Sequence, residues 1–295
     1  MKILVFALAA AALLGVCADL CRADDTALVQ AARTAAKNYD DAIINISLVV
    51  KVTAQSSLPL NLGSGKEQQV ETVGTVIDSA GMVVTSLTAI DPIRAMPSMK
   101  VNVPGAGEGT IDFNSELHDL KIRLPDSTEI KGRVVLKDED LDLAFIIPDD
   151  TPDAATLAKF VAFPLTNVAP AAEIVDPIIL LGRTGKSFNY TPTLNLARIT
   201  ACVSKPRKCY LGATTLGTPV LDGQGRILGL IVNKVDHERK ELNSAMGAPG
   251  PTLNTIILPI AEVNTMVIQA RREAAKPRPA TAASATAPAT TQAAQ

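Results

Sequence analysis

Two histidines, four cysteines and one dense run of acids are the residues on which chemistry could rest in this 295-residue chain. His118 and His237 both lie in polar surroundings, the latter inside His237-Glu238-Arg239-Lys240, which marks them as solvated surface residues. Both are far from the cysteines in sequence, and no C-x-x-C occurs, so a zinc site, and any other metal centre, is not expected. The acids of Asp138-Glu139-Asp140-Leu141-Asp142 alternate as in a calcium loop. The glycine such a loop needs at its sixth place is Leu143, so these acids read as a solvated turn. Gly182-Arg183-Thr184-Gly185-Lys186-Ser187, after the apolar Ile178–Leu181, imitates a phosphate-binding loop. The glycine required five residues before Gly-Lys-Ser is Leu180, and Phe188–Thr193 is no helix, so nothing there curls backbone N–H groups around a phosphate. No cofactor is implied by any of these segments.

The remaining chemistry depends on the compartment. Lys2 followed by the apolar run Ile3–Val16, then small-residue cleavage signals ending at Ala18 and Ala23, has the layout of a secretory signal peptide over residues 1–23. The run is short of the roughly 20 apolar residues that span a bilayer. A periplasmic or extracellular location is expected, with no membrane span after cleavage. Cleavage after Ala23 leaves Cys202 and Cys209, an even pair that implies one disulfide worth about 2–3 kcal/mol; the other reading is two unpaired thiols. A formal net charge of -2 gives no electrostatic case for nucleic acid, and 3% aromatics with no Trp gives no stacking platform.

The elements that must position these groups are mostly strands. Leu28, Ala31, Ala32, Ala35 and Ala36 recur at helical spacing, so a helix opens the chain near Asp25. From Ile44 to about residue 260, short β-rich runs alternate with turn residues: Ile44–Val52, Val73–Ile77, Met82–Thr85, Leu120–Leu124, Glu129–Leu136, Leu143–Ile147, Ile178–Leu181, Leu194–Val203, Pro219–Leu221, Ile227–Val232 and Thr255–Leu258. Strands at this spacing predict an all-β sandwich or barrel. Residues 92–118, rich in Pro, Gly and Met, read as a long surface loop. A helix is predicted over 261–275, and the Ala/Thr/Pro tail 276–295 is too poor in apolar residues to order itself.

Three segments in order resemble the Deg/HtrA branch of the trypsin-like serine proteases. Gly74–Ile90 is similar to the family's strand, Asp…Gly turn, second strand and Thr-Asn-x-His-Val, with Thr88 at the histidine. Leu141-Asp142-Leu143-Ala144 is similar to the Asp-(Leu/Ile)-Ala strand start, with Asp142 at the triad aspartate. Thr214–Leu230 is similar to the segment around Gly-Asn-Ser-Gly-Gly-Pro. Anchored on Pro219, Gly225 and Gly229, it puts Leu216 at the nucleophile and Thr214 at the oxyanion-hole glycine. The resemblance covers about residues 28–272 and includes no PDZ domain. It implies a chymotrypsin-like double β-barrel over 24–275, the first barrel about 44–150, the second about 165–260, with helices at both ends.

The resemblance also implies a degenerate site. A triad works because imidazole takes the serine proton and returns it. Thr88 has no basic nitrogen, and Leu216 has no nucleophilic atom. No His lies in 86–90 and no Ser in 205–242, so no neighbour supplies the missing groups. Asp142 is then expected to hydrogen-bond Thr88 or nearby backbone rather than to act as a catalytic acid. The expected protein is a non-catalytic binding or scaffold protein of the cell envelope, its partners peptide or protein segments. The alternatives are an active hydrolase with an unconventional site and a structural envelope component.

Overall fold

Ile44, Ile46, Leu48 and Val50 alternate along the first strand and are all buried, while Ile43, one step out of phase, faces the other way. That period of two lets each strand serve two cores at once. The computed structural model describes residues 26–60, 62, 65–95, 98–105, 107–234, 241–242 and 254–277. The expected signal peptide and His237 lie outside them, as does the expected tail from residue 278 on.

Helix α1 (26–39) leads into β1 (Ile43–Ser56) and β2 (Lys66–Val76). The turn to β3 (Val83–Ser86) is made by Asp78, whose Oδ1 accepts from the N–H of Ala80 and Met82, and by Gly81 at φ +86°. A side chain at Gly81 would meet the Phe160 ring at 2.6 Å. Helix α2 (Leu87–Ile90) follows, then β4 (Ser98–Val103), β5 (Gly107–Arg123), β6 (Glu129–Asp138) and β7 (Leu143–Pro148). The order β1-β2-β3-β7-β6-β5 closes through β1–β5 pairing into a six-stranded barrel. Ile44, Ile46, Val83, Ile122 and Ile146 fill it.

A short helix α3 (Ala154–Leu157) precedes the second sheet. Its strands are β8 (Pro177–Arg183), β9 (Pro192–Arg198), β10 (Ala201–Val203), β11 (Cys209–Leu211), β12 (Pro219–Asp222) and β13 (Ile227–Lys234). The two-residue β14 (Glu241–Leu242) pairs parallel to β4, and β15 (Asn254–Pro259) completes the second sheet in the order β10-β11-β15-β13-β12-β8-β9. This sheet is an open half-barrel. Its inner face carries Ile178, Val220, Leu228 and Ile257. Helix α4 (Ile260–Ala274) buries Ile260, Val263, Val267 and Ala270, one stripe at helical spacing. The fold is thus mainly β, a double β-barrel with helices at both ends of the barrel region.

A third apolar layer lies between the sheets. Ile43, Val84, Leu143 and Phe145 of the closed barrel meet Ile179, Leu181, Leu230 and Leu258 of the half-barrel, with Ala32 and Ala35 of α1 and Val263 of α4 joining them. Arg183 ties the layers together: Nε donates to the Ile43 carbonyl and Nη2 to that of Asp40, both at 2.6 Å, and Nη1 to that of Tyr190 at 3.0 Å.

Two sequence expectations fail here. Within the stretch 92–118 expected as a loop, residues 98–103 are β4 and residues 107–118 belong to β5. The outer half of β5 alternates only briefly, with Ile111 and Phe113 half-buried and Asp112 and Asn114 exposed, and none of its residues before Leu120 is fully buried. Its order comes from pairing with β1, from Ile111 opposite Ser56 to Arg123 opposite Asn45. The expected single strand Leu194–Val203 is two, broken where the Ile199 N–H turns to the Asp176 carbonyl and the Thr200 N–H to that of Leu211.

Candidate functional site

Asp142 sits just before β7 at φ +55°, in the left-handed region that aspartate tolerates better than most residues. It is 1% exposed. Its carbonyl accepts the Leu87 N–H at 2.8 Å, which docks the start of α2 beside it. Its carboxylate is reached from two directions. Oδ1 accepts the Thr88 N–H at 2.8 Å and the Thr88 hydroxyl at 2.6 Å. Oδ2 accepts the Ser86 hydroxyl and, from the other sheet, the Asn233 N–H at 2.8 Å. Ser86 also caps α2, accepting from the Ala89 N–H. Donors to a charged acceptor offset the cost of burying it.

Thr88 is 4% exposed, and its hydroxyl proton is committed to Asp142. Its Oγ1 accepts only a long contact, 3.5 Å, from Asn233 Nδ2. No substrate atom reaches this oxygen without opening the inter-barrel layer.

Leu216 lies in the turn before β12, half-buried against the half-barrel core of Tyr210, Ala213 and Val220. The turn is fastened from both sides. The Gly217 N–H donates to the Ile231 carbonyl at 2.8 Å, and the Thr75 hydroxyl donates to the Gly217 carbonyl at 3.2 Å. Gly217 adopts φ +78°, and a Cβ there would fall 2.3 Å from the Val73 carbonyl oxygen and 2.4 Å from Thr85 Oγ1. The hydroxyl of Thr218, itself 1% exposed, donates to the Thr215 carbonyl at 2.7 Å. Thr214 is exposed, and its φ is outside the left-handed range that Gly212 and Gly217 adopt.

Of the sequence-derived site residues, the structure therefore joins Thr88 to Asp142 and gives Leu216 an apolar packing role. It adds Ser86 and Asn233, which the sequence reading did not single out. Asn233 was detectable as the first polar residue after the apolar run Ile227–Val232, and Ser86 as a helix N-cap.

The expected Cys202–Cys209 disulfide is absent, and both thiols are free. Cys202 lies opposite Tyr210, and Val203 opposite Cys209. The cysteines are one register step apart, so they leave opposite faces of the β10–β11 ribbon. Cys209 joins the inter-sheet core, while exposed Cys202 donates to the Ala172 carbonyl at 3.5 Å. Burial pushes the Cys209 thiol pKa up, against the opposing pull of Lys234.

The other candidate segments have structural roles. Asp138 Oδ1 accepts the Leu141 N–H at 2.8 Å and shapes the acidic turn. The Lys186 N–H of the phosphate-loop look-alike is taken by Glu71 at 3.2 Å. His118 lies on β5, between Glu67 at 3.4 Å and Glu116 at 3.5 Å. Among the described residues, no group of three or more His, Cys, Asp or Glu is placed to hold a metal ion, and no helix is long and apolar enough to cross a membrane. Searches of protein-family models and of curated proteins found no match to this chain.

Proposed function

We propose that this chain is a non-catalytic binding protein of the cell envelope, built on a trypsin-like protease scaffold of the Deg/HtrA kind. One observation carries the reading: the Thr88 hydroxyl donates to Asp142 at 2.6 Å, in a place closed to solvent. A threonine so placed is a structural ligand of the carboxylate. It has no nitrogen to receive a proton, and its own proton is spent. Leu216, half-buried against the half-barrel core, offers no nucleophile. The double β-barrel with terminal helices, and the ordered motifs of Gly74–Ile90, Leu141–Ala144 and Thr214–Leu230, support the ancestry. The apolar run Ile3–Val16 behind Lys2 supports export.

The test is incubation of the purified chain with an unstructured protein substrate and, separately, with a serine-directed fluorophosphonate probe. Neither cleavage nor labelling is expected. Cleavage or labelling that disappears in Thr88→Val or Thr218→Val would sink the proposal.

A further inference from the structure

Glu173-Ile174-Val175-Asp176 is a tight turn just before β8, closed by the Asp176 N–H donating to the Glu173 carbonyl at 3.2 Å. Its two central residues are aliphatic and β-branched, and both face solvent: Ile174 is 60% exposed and Val175 59%. Val175 adopts φ +76°. In that left-handed region turns take glycine, and a β-branched residue is an outlier. The conformation is held from three sides. The Val175 N–H donates to the Ile199 carbonyl at 2.8 Å, Arg198 Nη1 donates to the Val175 carbonyl at 2.9 Å, and the Glu173 N–H donates to Asp176 Oδ2 at 2.7 Å. Turn formation does not ask for these side chains. Glycine would relieve the backbone, and polar residues would suit the solvent. Strain and apolar exposure kept together at one turn point to a surface that is covered in use.

Charge around the turn selects what covers it. Residues 198–208 contain Arg198, Lys205, Arg207 and Lys208 and no acid, and all four cations are exposed. Two of them are tied to the turn by contact. Arg198 bonds Val175 directly. Lys208 Nζ lies 5.6 Å from the centre of the Tyr210 ring, whose hydroxyl accepts the Ala172 N–H at 3.4 Å. Against these stand the turn's own acids, Glu173 and Asp176. Two aliphatic side chains are too few for the core of a protein interface, which buries about 800 Å² on each partner. They suit a bilayer with anionic headgroups, whose acyl boundary takes the aliphatic tip while its surface charge attracts the flanking cations. We propose that the Glu173–Asp176 turn docks this chain on an anionic membrane surface, with Ile174 and Val175 entering the headgroup boundary. The inference goes beyond the reading of the chain as a non-catalytic binding protein. It does not depend on the site at Asp142, so the cleavage assay for that reading and the vesicle assay below fail separately.

The chain has no Trp, so Ile174→Trp places a single fluorophore on the turn. Phe188→Trp places one on another exposed residue, beyond the opposite end of β8 and roughly 20 Å away along that strand. Each full-chain variant is mixed with vesicles of phosphatidylglycerol and phosphatidylcholine whose acyl chains carry bromine, a contact quencher. The Ile174→Trp emission is expected to shift to the blue and to be quenched, and the Phe188→Trp emission to stay unchanged. The readout is local, so the apolar run Ile3–Val16 cannot produce it by holding the chain near a vesicle. In the Ile174→Trp chain, Lys205→Gln/Lys208→Gln should lower the insertion equilibrium, read from the quenched fraction, by at least about tenfold at low salt. Val175→Gly should lower it as well, with a melting temperature unchanged or raised, because glycine relieves the left-handed φ. Absence of quenching at Ile174→Trp would overturn the proposal, as would equal quenching of both Trp variants. Equal response to phosphatidylcholine vesicles alone, or insertion indifferent to Val175→Gly, would overturn it too. A blue shift that grows with chain concentration and needs no vesicles would assign the turn to a second copy of this chain instead.

Discussion

The main-chain N–H of Asn233 donates to Oδ2 of Asp142 across 2.8 Å, joining the half-barrel to the loop that opens β7. The donor is backbone, so it persists whatever side chain occupies position 233. The aspartate thereby holds two sheets in register, a role independent of any chemistry at Thr88. An aspartate at this place accordingly has a structural reason to be there.

Replacing Thr88 by Val keeps the shape and removes one hydroxyl bond to a charged acceptor. The expected cost is about 1.5–3 kcal/mol of unfolding free energy, read by urea denaturation. Asp142→Ala should cost more, since it strands the donors of Ser86, Thr88 and Asn233 together. A neutral Thr88→Val would contradict the structural role given to this pair.

Gly217→Ala is expected to destabilise by roughly 2 kcal/mol or more, because it combines a left-handed φ with a backbone clash. The added Cβ would lie 2.3 Å from the Val73 carbonyl oxygen, which belongs to a strand and cannot retreat as a flexible side chain would. Thermal unfolding followed by circular dichroism measures the loss.

Leu216→Ser removes apolar contact with the half-barrel core and places a hydroxyl at the position that the proposed protease ancestry sets against a nucleophile. Stability should fall by about 1–2 kcal/mol, given partial burial. Fluorophosphonate labelling should stay at background, because Thr88, the residue at the place of the triad base, has no basic nitrogen to activate the new hydroxyl. Stoichiometric labelling of this variant would show that a base exists after all.

Cys209 gives a pH signature. Burial raises its thiol pKa, which favours the neutral form, so the reactive thiolate is scarcer at neutral pH than in an ordinary thiol. Its alkylation by iodoacetamide, followed on the Cys209 peptide by mass spectrometry, should be slow at pH 7 and climb as pH rises beyond the ordinary thiol value of about 8.5. Lys234→Gln removes the opposing pull and should move the rise further up. A rate already at its plateau by pH 8 would refute the assigned environment.

Local chemistry was the most legible part of the sequence. Asp78 and Gly81 announced their turn because one side chain and one φ make it. The alternation of Ile44, Ile46, Leu48 and Val50 announced a strand with a buried face. What depended on partners was not legible. The outer half of β5 is ordered by pairing with β4 and β1, and its short alternation of Ile111 and Phe113 with Asp112 and Asn114 is too brief to announce a strand alone. A cysteine count carries no register, so it could not tell that Cys202 and Cys209 leave opposite faces. Thr88 and Asp142, 54 residues apart, became neighbours on paper only through family-like motifs, and those motifs do not mark Asn233 as a donor to the same carboxylate.

The apolar layer shared by Ile43, Leu143, Phe145, Ile179, Leu230 and Val263 has a consequence for how the protein comes apart. Neither sheet can unfold while the other stays intact without baring this layer to water, a penalty that makes half-unfolded species scarce. The chain should therefore melt as one cooperative unit, with calorimetric and van't Hoff enthalpies in agreement, despite being built from two barrels.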